Sequence, residues 1–167
     1  GVFSRGPDAE GRDTVFLEGV ASEEPGQTAL RYEPAVALFP LPLALGDAWE
    51  VAADAVGLAD GVEVPEDRGA EGIVSLVHRY RFVVDGVGAV RVPAADLPAL
   101  RLRLALRAEA SNSIAGLFAV EASRATFLLA ECVGVAARLR SQSNELDLDF
   151  TDAREVLRWG LAGELLP

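Results

Sequence analysis

His78 and Cys132 are the only histidine and the only cysteine in the chain. Brought together, they would be the two residue types of a thiol–imidazole nucleophilic site, in which the imidazole takes the proton the thiol must lose. Their local contexts argue for something plainer. His78 belongs to the alternating set Leu76, His78, Tyr80, Phe82 and Val84, which reads as a core or rim histidine with a local partner. Cys132 lies among small residues in Ala130-Glu131-Cys132-Val133-Gly134, where a buried thiol is ordinary. A single histidine and a single cysteine also exclude a zinc finger, a disulfide scaffold and a multi-histidine metal centre.

Two charged constellations remain. Glu145, Asp147 and Asp149 alternate, and paired carboxylates can hydrolyse glycosides. Such an enzyme needs an aromatic cleft, however, and this chain is 7% aromatic, so the stretch reads as a solvated acidic segment. Arg79, Arg81, Arg101, Arg103 and Arg107 would form a patch on the outer face of neighbouring strands, suited to gripping carboxylates or phosphates. With 26 acidic residues in the chain, cross-strand ion pairs are the expected fate of that patch. Asp85-Gly86-Val87-Gly88 lacks the third glycine and the following helix of a dinucleotide fingerprint. All 15 basic residues are arginine, so a phosphate-loop lysine is absent, and there is no Gly-x-Ser-x-Gly elbow. The chain is therefore expected not to be an enzyme, with no catalytic residue, no metal ligand and no cofactor.

The elements that carry these residues follow from periodicity. Val74 to Val84 alternates with period two, one face apolar and the other mixed, as a half-buried strand does. Asp85-Gly86 reads as a hairpin turn, with Val87 to Val92 returning. Leu100, Leu102, Leu104 and Leu106 share one face of the next segment, and Arg101, Arg103 and Arg107 share the other. Leucine and arginine are good helix formers, but a helix would scatter the four leucines, so the period predicts a strand. Further strands are expected at Thr14–Val20, from Trp49, at Ile114–Val120 and Ala125–Ala130 as a hairpin around Ala122-Ser123, and at Val133–Arg140. Leu38 to Leu43, with two prolines, reads as an extended strap. Asp54 to Gly72, rich in acids, glycine and proline, reads as a solvated loop. Phe150, Ala153, Val156, Leu157 and Leu161 have helical spacing, with Thr151 or Asp152 as cap.

The chain has 167 residues and a mass of 17.6 kDa, enough to bury roughly 70% of its unfolded surface. Half of it is hydrophobic, against disorder. The expected fold is mainly β: an antiparallel, strongly curved sheet or partial barrel or sandwich with one C-terminal helix. Residues 1–31 read as an N-terminal extension with one strand, and 32–167 as a single β-rich domain. Methionine is absent, so Gly1 reads as a processed terminus or a boundary, which leaves room for a signal peptide or lipid anchor upstream. No apolar run reaches the ~20 residues of a membrane-spanning helix.

Several segments together carry a resemblance: Pro42-Leu43-Ala44-Leu45-Gly46-Asp47-Ala48-Trp49, Val90 to Leu102, Ala130 to Val135, and Ser143-Asn144-Glu145 ahead of Phe150-Thr151. The chain resembles uncharacterised secreted proteins and lipoproteins of myxobacteria and related bacteria, and β-rich envelope domains with a Pro-Leu-x-x-Gly-x-x-Trp opening. Ala95 and Leu97 stand where that class usually carries glycine and phenylalanine. The resemblance covers about Tyr32 to Trp159, rests on turn signals, and carries no active site. It implies a curved antiparallel sheet and a periplasmic, outer-membrane-attached or secreted location. The function expected is a non-catalytic envelope module that takes an apolar small molecule on the apolar sheet face, with Tyr80, Phe82, Leu102 and Leu104 as ligand-binding residues. The alternative is a structural module that contacts another envelope protein and has a filled core.

The net charge of -11 opposes binding to polyphosphates, whose affinity comes largely from neutralising cations. No gel shift with DNA or RNA is expected at micromolar protein; a salt-sensitive shift would contradict this reading.

Overall fold

A computed structural model describes residues 1–24, 26–66, 74–92, 95–112, 114, 116–131, 133–145, 147, 150 and 155–156. The protein is mainly β, with about 75% of the described residues in strands, and its sheet is antiparallel. There is no helix among the described residues. The strands are β1 (Val2–Pro7), β2 (Asp13–Ala21), β3 (Ala29–Leu41), β4 (Ala48–Ala59), β5 (Val62–Val64), β6 (Val74–Val92), β7 (Ala95–Asn112), β8 (Gly116–Ala130), β9 (Gly134–Arg140) and β10 (Glu155–Val156). They form one sheet in the order β1-β2-β3-β4-β6-β7-β8-β9-β10, with β5 paired to β4. Apart from β5 and β6, strands consecutive in sequence are neighbours in the sheet, as antiparallel hairpin connections allow.

The ladder is interrupted where the chain bends. Register shifts fall between Val15 and Phe16 and between Leu17 and Gly19 on β2, and between Leu128 and Leu129 on β8. Such bulges add a residue to one strand and increase its twist. β3 pairs with β4 only from Ala29 to Glu33. The next residue is Pro34, which has no amide to donate.

The chain divides into two compact units. The first comprises Gly1–Leu43, Val51–Arg79 and Arg107–Glu121, and buries Leu17, Leu30, Tyr32, Val36, Ala55 and Val56. The second comprises Ala44–Glu50, Tyr80–Leu106 and Ala122–Pro167. It buries Tyr80, Phe82, Val84 and Leu102, with a second cluster of Ala99, Ala130 and Ala136 against Val90, Leu97 and Val133.

Several expectations change. Residues 1–31 hold β1 and the start of β3 as well as the expected strand. Asp54 to Val64 is not a loop but the end of β4 and the whole of β5, joined at Asp60 and Gly61 with φ of 46° and 80°. Both angles are those of a tight hairpin turn. The apolar alternation Ala53, Ala55 and Val64 outweighs the acids around it, and 67–73 lie outside the described residues.

Asp85-Gly86 is not a turn either, since β6 runs straight through it. The glycine there serves close approach instead: a Cβ on Gly86 would stand 3.2 Å from Arg101 Nε. Ala122-Ser123 likewise sits inside an unbroken β8. The expected C-terminal helix falls mostly on 151–154 and 157–167, outside the described residues; within it, Glu155 and Val156 pair antiparallel with Arg140 and Leu139.

The strand expected at Leu100 to Leu106 is β7, and Leu102 is completely buried. Leu102→Ala is expected to cost about 2–5 kcal/mol, the usual range for a leucine-to-alanine cavity. Val87, 66% exposed on β6, is expected to tolerate alanine within about 0.5 kcal/mol. Urea melts of the two variants check the difference.

Candidate functional site

The aromatic face expected to hold a ligand is packed. Trp49 of β4 stacks on Phe82 with ring centroids 4.9 Å apart and planes 13° from parallel. Tyr80 and Phe82 follow at 6.2 Å and 6°. Trp49 reaches this place because the Gly46-Asp47 turn is tied to β6: Gly46 N donates to the Val84 carbonyl (2.9 Å), and Val84 N donates to the Asp47 carbonyl (2.8 Å). The Asp47 carboxylate also accepts from Ala44 N at 2.7 Å. Tyr80, Phe82 and Leu102 are buried, while Leu104 is half-buried.

The arginine patch is bound up in ion pairs. The Asp85 carboxylate receives Arg101 Nε at 2.7 Å on one oxygen and Arg103 Nε on the other. The Glu109 carboxylate receives Arg79 Nε at 3.2 Å and Arg107 Nε at 2.8 Å. Arg81 lies 3.3 Å from Glu50. One carboxylate thus holds two guanidinium groups at two places along the β6–β7 pair. All five arginines have a carboxylate partner, and an external anion would have to displace it.

His78 is placed on β6 with its Nδ1 2.9 Å from the Tyr32 hydroxyl. The rings are 5.5 Å apart and tilted by 51°. Tyr32 is nearly fully buried. Burial pushes the His78 pKa below its usual value, with Glu121 pulling weakly the other way. Cys132 lies outside the described residues. In the acidic segment Asp147 N donates to Glu145 Oε1 at 2.8 Å, and Asp149 lies outside the described residues. Among the described residues no three His, Cys, Asp or Glu side chains converge as metal ligands would.

A larger concavity lies in the first unit, where no ligand site was expected. It is an open groove of about 790 Å³, within the range of small-molecule sites. Leu30, Val56 and Val64 are its buried lining residues, and Val2, Val20 and Leu58 also line it. The pairing of β5 onto β4 builds it, because that hairpin brings Val64 beside Gly57. Arg31, Glu63 and Glu66 also line it, and the Arg31 guanidinium is bound to both Glu33 and Glu66. The signal for this groove was the alternation across Leu30, Tyr32, Val56 and Leu58; reading 54–72 as a loop hid it. A smaller hollow of about 270 Å³ lies in the second unit beside Gly86, Gly88, Ala99 and Leu128. Neither hollow is lined by Tyr80, Phe82, Leu102 or Leu104.

The described residues thus combine an antiparallel β-sheet, stacked aromatics, five carboxylate-paired arginines and an open apolar groove. No protein family, characterised protein or solved structure matches the chain.

The position of His78 makes stability depend on pH. A base whose folded pKa is lowered leaves the unfolded chain binding more protons in the window between the two values. Its full stabilisation is therefore present above about pH 6.5, the unfolded value, and is lost as pH falls through the folded one. The unfolding free energy from urea melts is expected to fall from pH 7.5 toward pH 5.5, with at most about 1.4 kcal/mol per pH unit from this group. In His78→Gln that component of the slope should vanish.

Proposed function

We propose that this chain is a non-catalytic domain of the bacterial cell envelope or of a secreted protein, and that it binds a neutral apolar small molecule in the groove between β3, β4 and β5. The groove carries the reading: buried aliphatic side chains line an open concavity of about 790 Å³. Apolar surface removed from water by a ligand there supplies the driving force. The charge of Arg31 is already met by Glu33 and Glu66, so a ligand carboxylate gains little from it and a neutral ligand fits better. The envelope location rests on the resemblance carried by Pro42 to Trp49 and Val90 to Leu102.

A second reading has its own observation. The stack of Trp49, Phe82 and Tyr80, with Leu102 buried in the same unit, is what a filled structural core needs, and it supports a module whose work is contact with another envelope protein.

Nile red, a neutral apolar dye, separates the two. Under the ligand reading the folded protein enhances its fluorescence saturably. Leu58→Asp, at the groove, abolishes this with little change in melting temperature, because Leu58 is only half-buried. Absence of enhancement with the folded wild type, or equal enhancement with Leu58→Asp, overturns the ligand reading and leaves the structural one.

A further inference from the structure

The smaller hollow, in the second unit, joins a small apolar space to a guanidinium with donors to spare. It has a volume of about 270 Å³, and its lining includes Gly86, Gly88, Val90, Ala99, Leu128 and Arg101. At about 30 Å³ per water in the liquid, that is roughly nine waters, the size of a single ring with a short polar arm. The space comes from glycine. A Cβ on Gly88 would meet nothing within 4 Å, and one on Gly86 would crowd the Arg101 side chain. Part of the wall belongs to a core cluster: Ala99 is buried with Ala130 and Ala136, and Val90 packs against them.

Arg101 supplies the polar end. A guanidinium carries five N–H groups in a planar fork. Among the described residues the hydrogen-bond partner of Arg101 is Asp85, reached through Nε at 2.7 Å. The N–H groups on the two Nη atoms remain to donate. A carbonyl oxygen has two lone pairs and accepts two such groups at once. A hydrogen bond from an ionised donor is also stronger than one from a neutral donor. Asp85 already stands as counter-charge on this guanidinium, so a neutral carbonyl gains these bonds without setting a second negative charge beside it.

We infer that this hollow binds a small neutral molecule that presents an amide or ketone carbonyl oxygen to Arg101 and lays a single ring or short chain against Val90, Ala99 and Leu128. The hollow and the groove share no lining residue, so each can bind or fail to bind without the other.

Benzamide, a ring bearing one amide, is the probe. It is titrated into the isotope-labelled whole chain and followed through the backbone amide resonances of Gly88 and Leu128. Saturable shifts are expected at both. Gly88→Leu fills the space and is expected to abolish them. Gly88 is exposed and its backbone lies outside the left-handed region, so the melting temperature should hold. Arg101→Met keeps an apolar stem and removes the donors, while Arg103 stays on Asp85. It is expected to weaken benzamide about tenfold or more, the usual effect of losing hydrogen bonds from a charged group. Toluene, with the ring but no carbonyl, and benzoate, which adds a negative charge, are both expected to bind more weakly than benzamide. No saturable shift in the folded wild type, or equal affinity in Gly88→Leu, overturns the site. Toluene or benzoate binding as tightly as benzamide overturns the assignment of a neutral carbonyl ligand.

Discussion

The Asp85 carboxylate lies between the guanidinium groups of Arg101 and Arg103. That arrangement needs β6 to continue through Asp85-Gly86 and needs the arginine side chain to lie over Gly86, where a Cβ would crowd it. Ser75 against Ser111 and Asp85 against Arg101 are then cross-strand neighbours in one register. A slip by one residue would turn every side chain to the other face. Leu102 would leave the core and the arginines would enter it without partners, at the high cost of burying unpaired charge. Much of the β6–β7 pairing thus depends on keeping charges on one face and leucines on the other.

The same restriction explains why the chemically suggestive residues do no evident chemistry. The five arginines are spaced as an anion-binding patch would be, but carboxylates on the same or adjoining strands reach them first. The chain is strongly acidic, and each of these five arginines has a carboxylate oxygen within 3.3 Å. His78 lies on the apolar side of β6 and meets the Tyr32 hydroxyl. Burial favours its neutral form, which suits packing and a local hydrogen bond.

Apolar surface is spent unevenly. Phe82 is stacked between Trp49 and Tyr80, and Tyr80 and Leu102 are buried, which leaves little room for a guest there. Val20, Leu58 and their neighbours remain beside an open groove, and Ile114 and Leu117 remain in water. Exposed aliphatic surface of this kind is unfavourable in the free chain and becomes favourable when something covers it. The ligand reading of the groove starts from that asymmetry.

Period-two alternation in the sequence determined the fold class, the strands Leu76 to Val84 and Leu100 to Leu106, and the burial of Leu102. Alternation is a local property, and a strand's two faces are set by the chain itself. The pairing of the arginines was also legible, because the excess of acid made it the expected outcome. Tertiary structure alone decided the rest. Asp85-Gly86 and Ala122-Ser123 have the composition of turns, yet long cross-strand pairing carries the chain straight through them. Asp54 to Val64 has the composition of a loop, yet its apolar members find partners in β3 and β5. Whether an apolar face is filled or open depends on which distant residue covers it. Trp49 covers Phe82, and the groove beside Leu58 stays open to solvent. No local pattern encodes that choice, because it is made by residues that meet only after the sheet has formed.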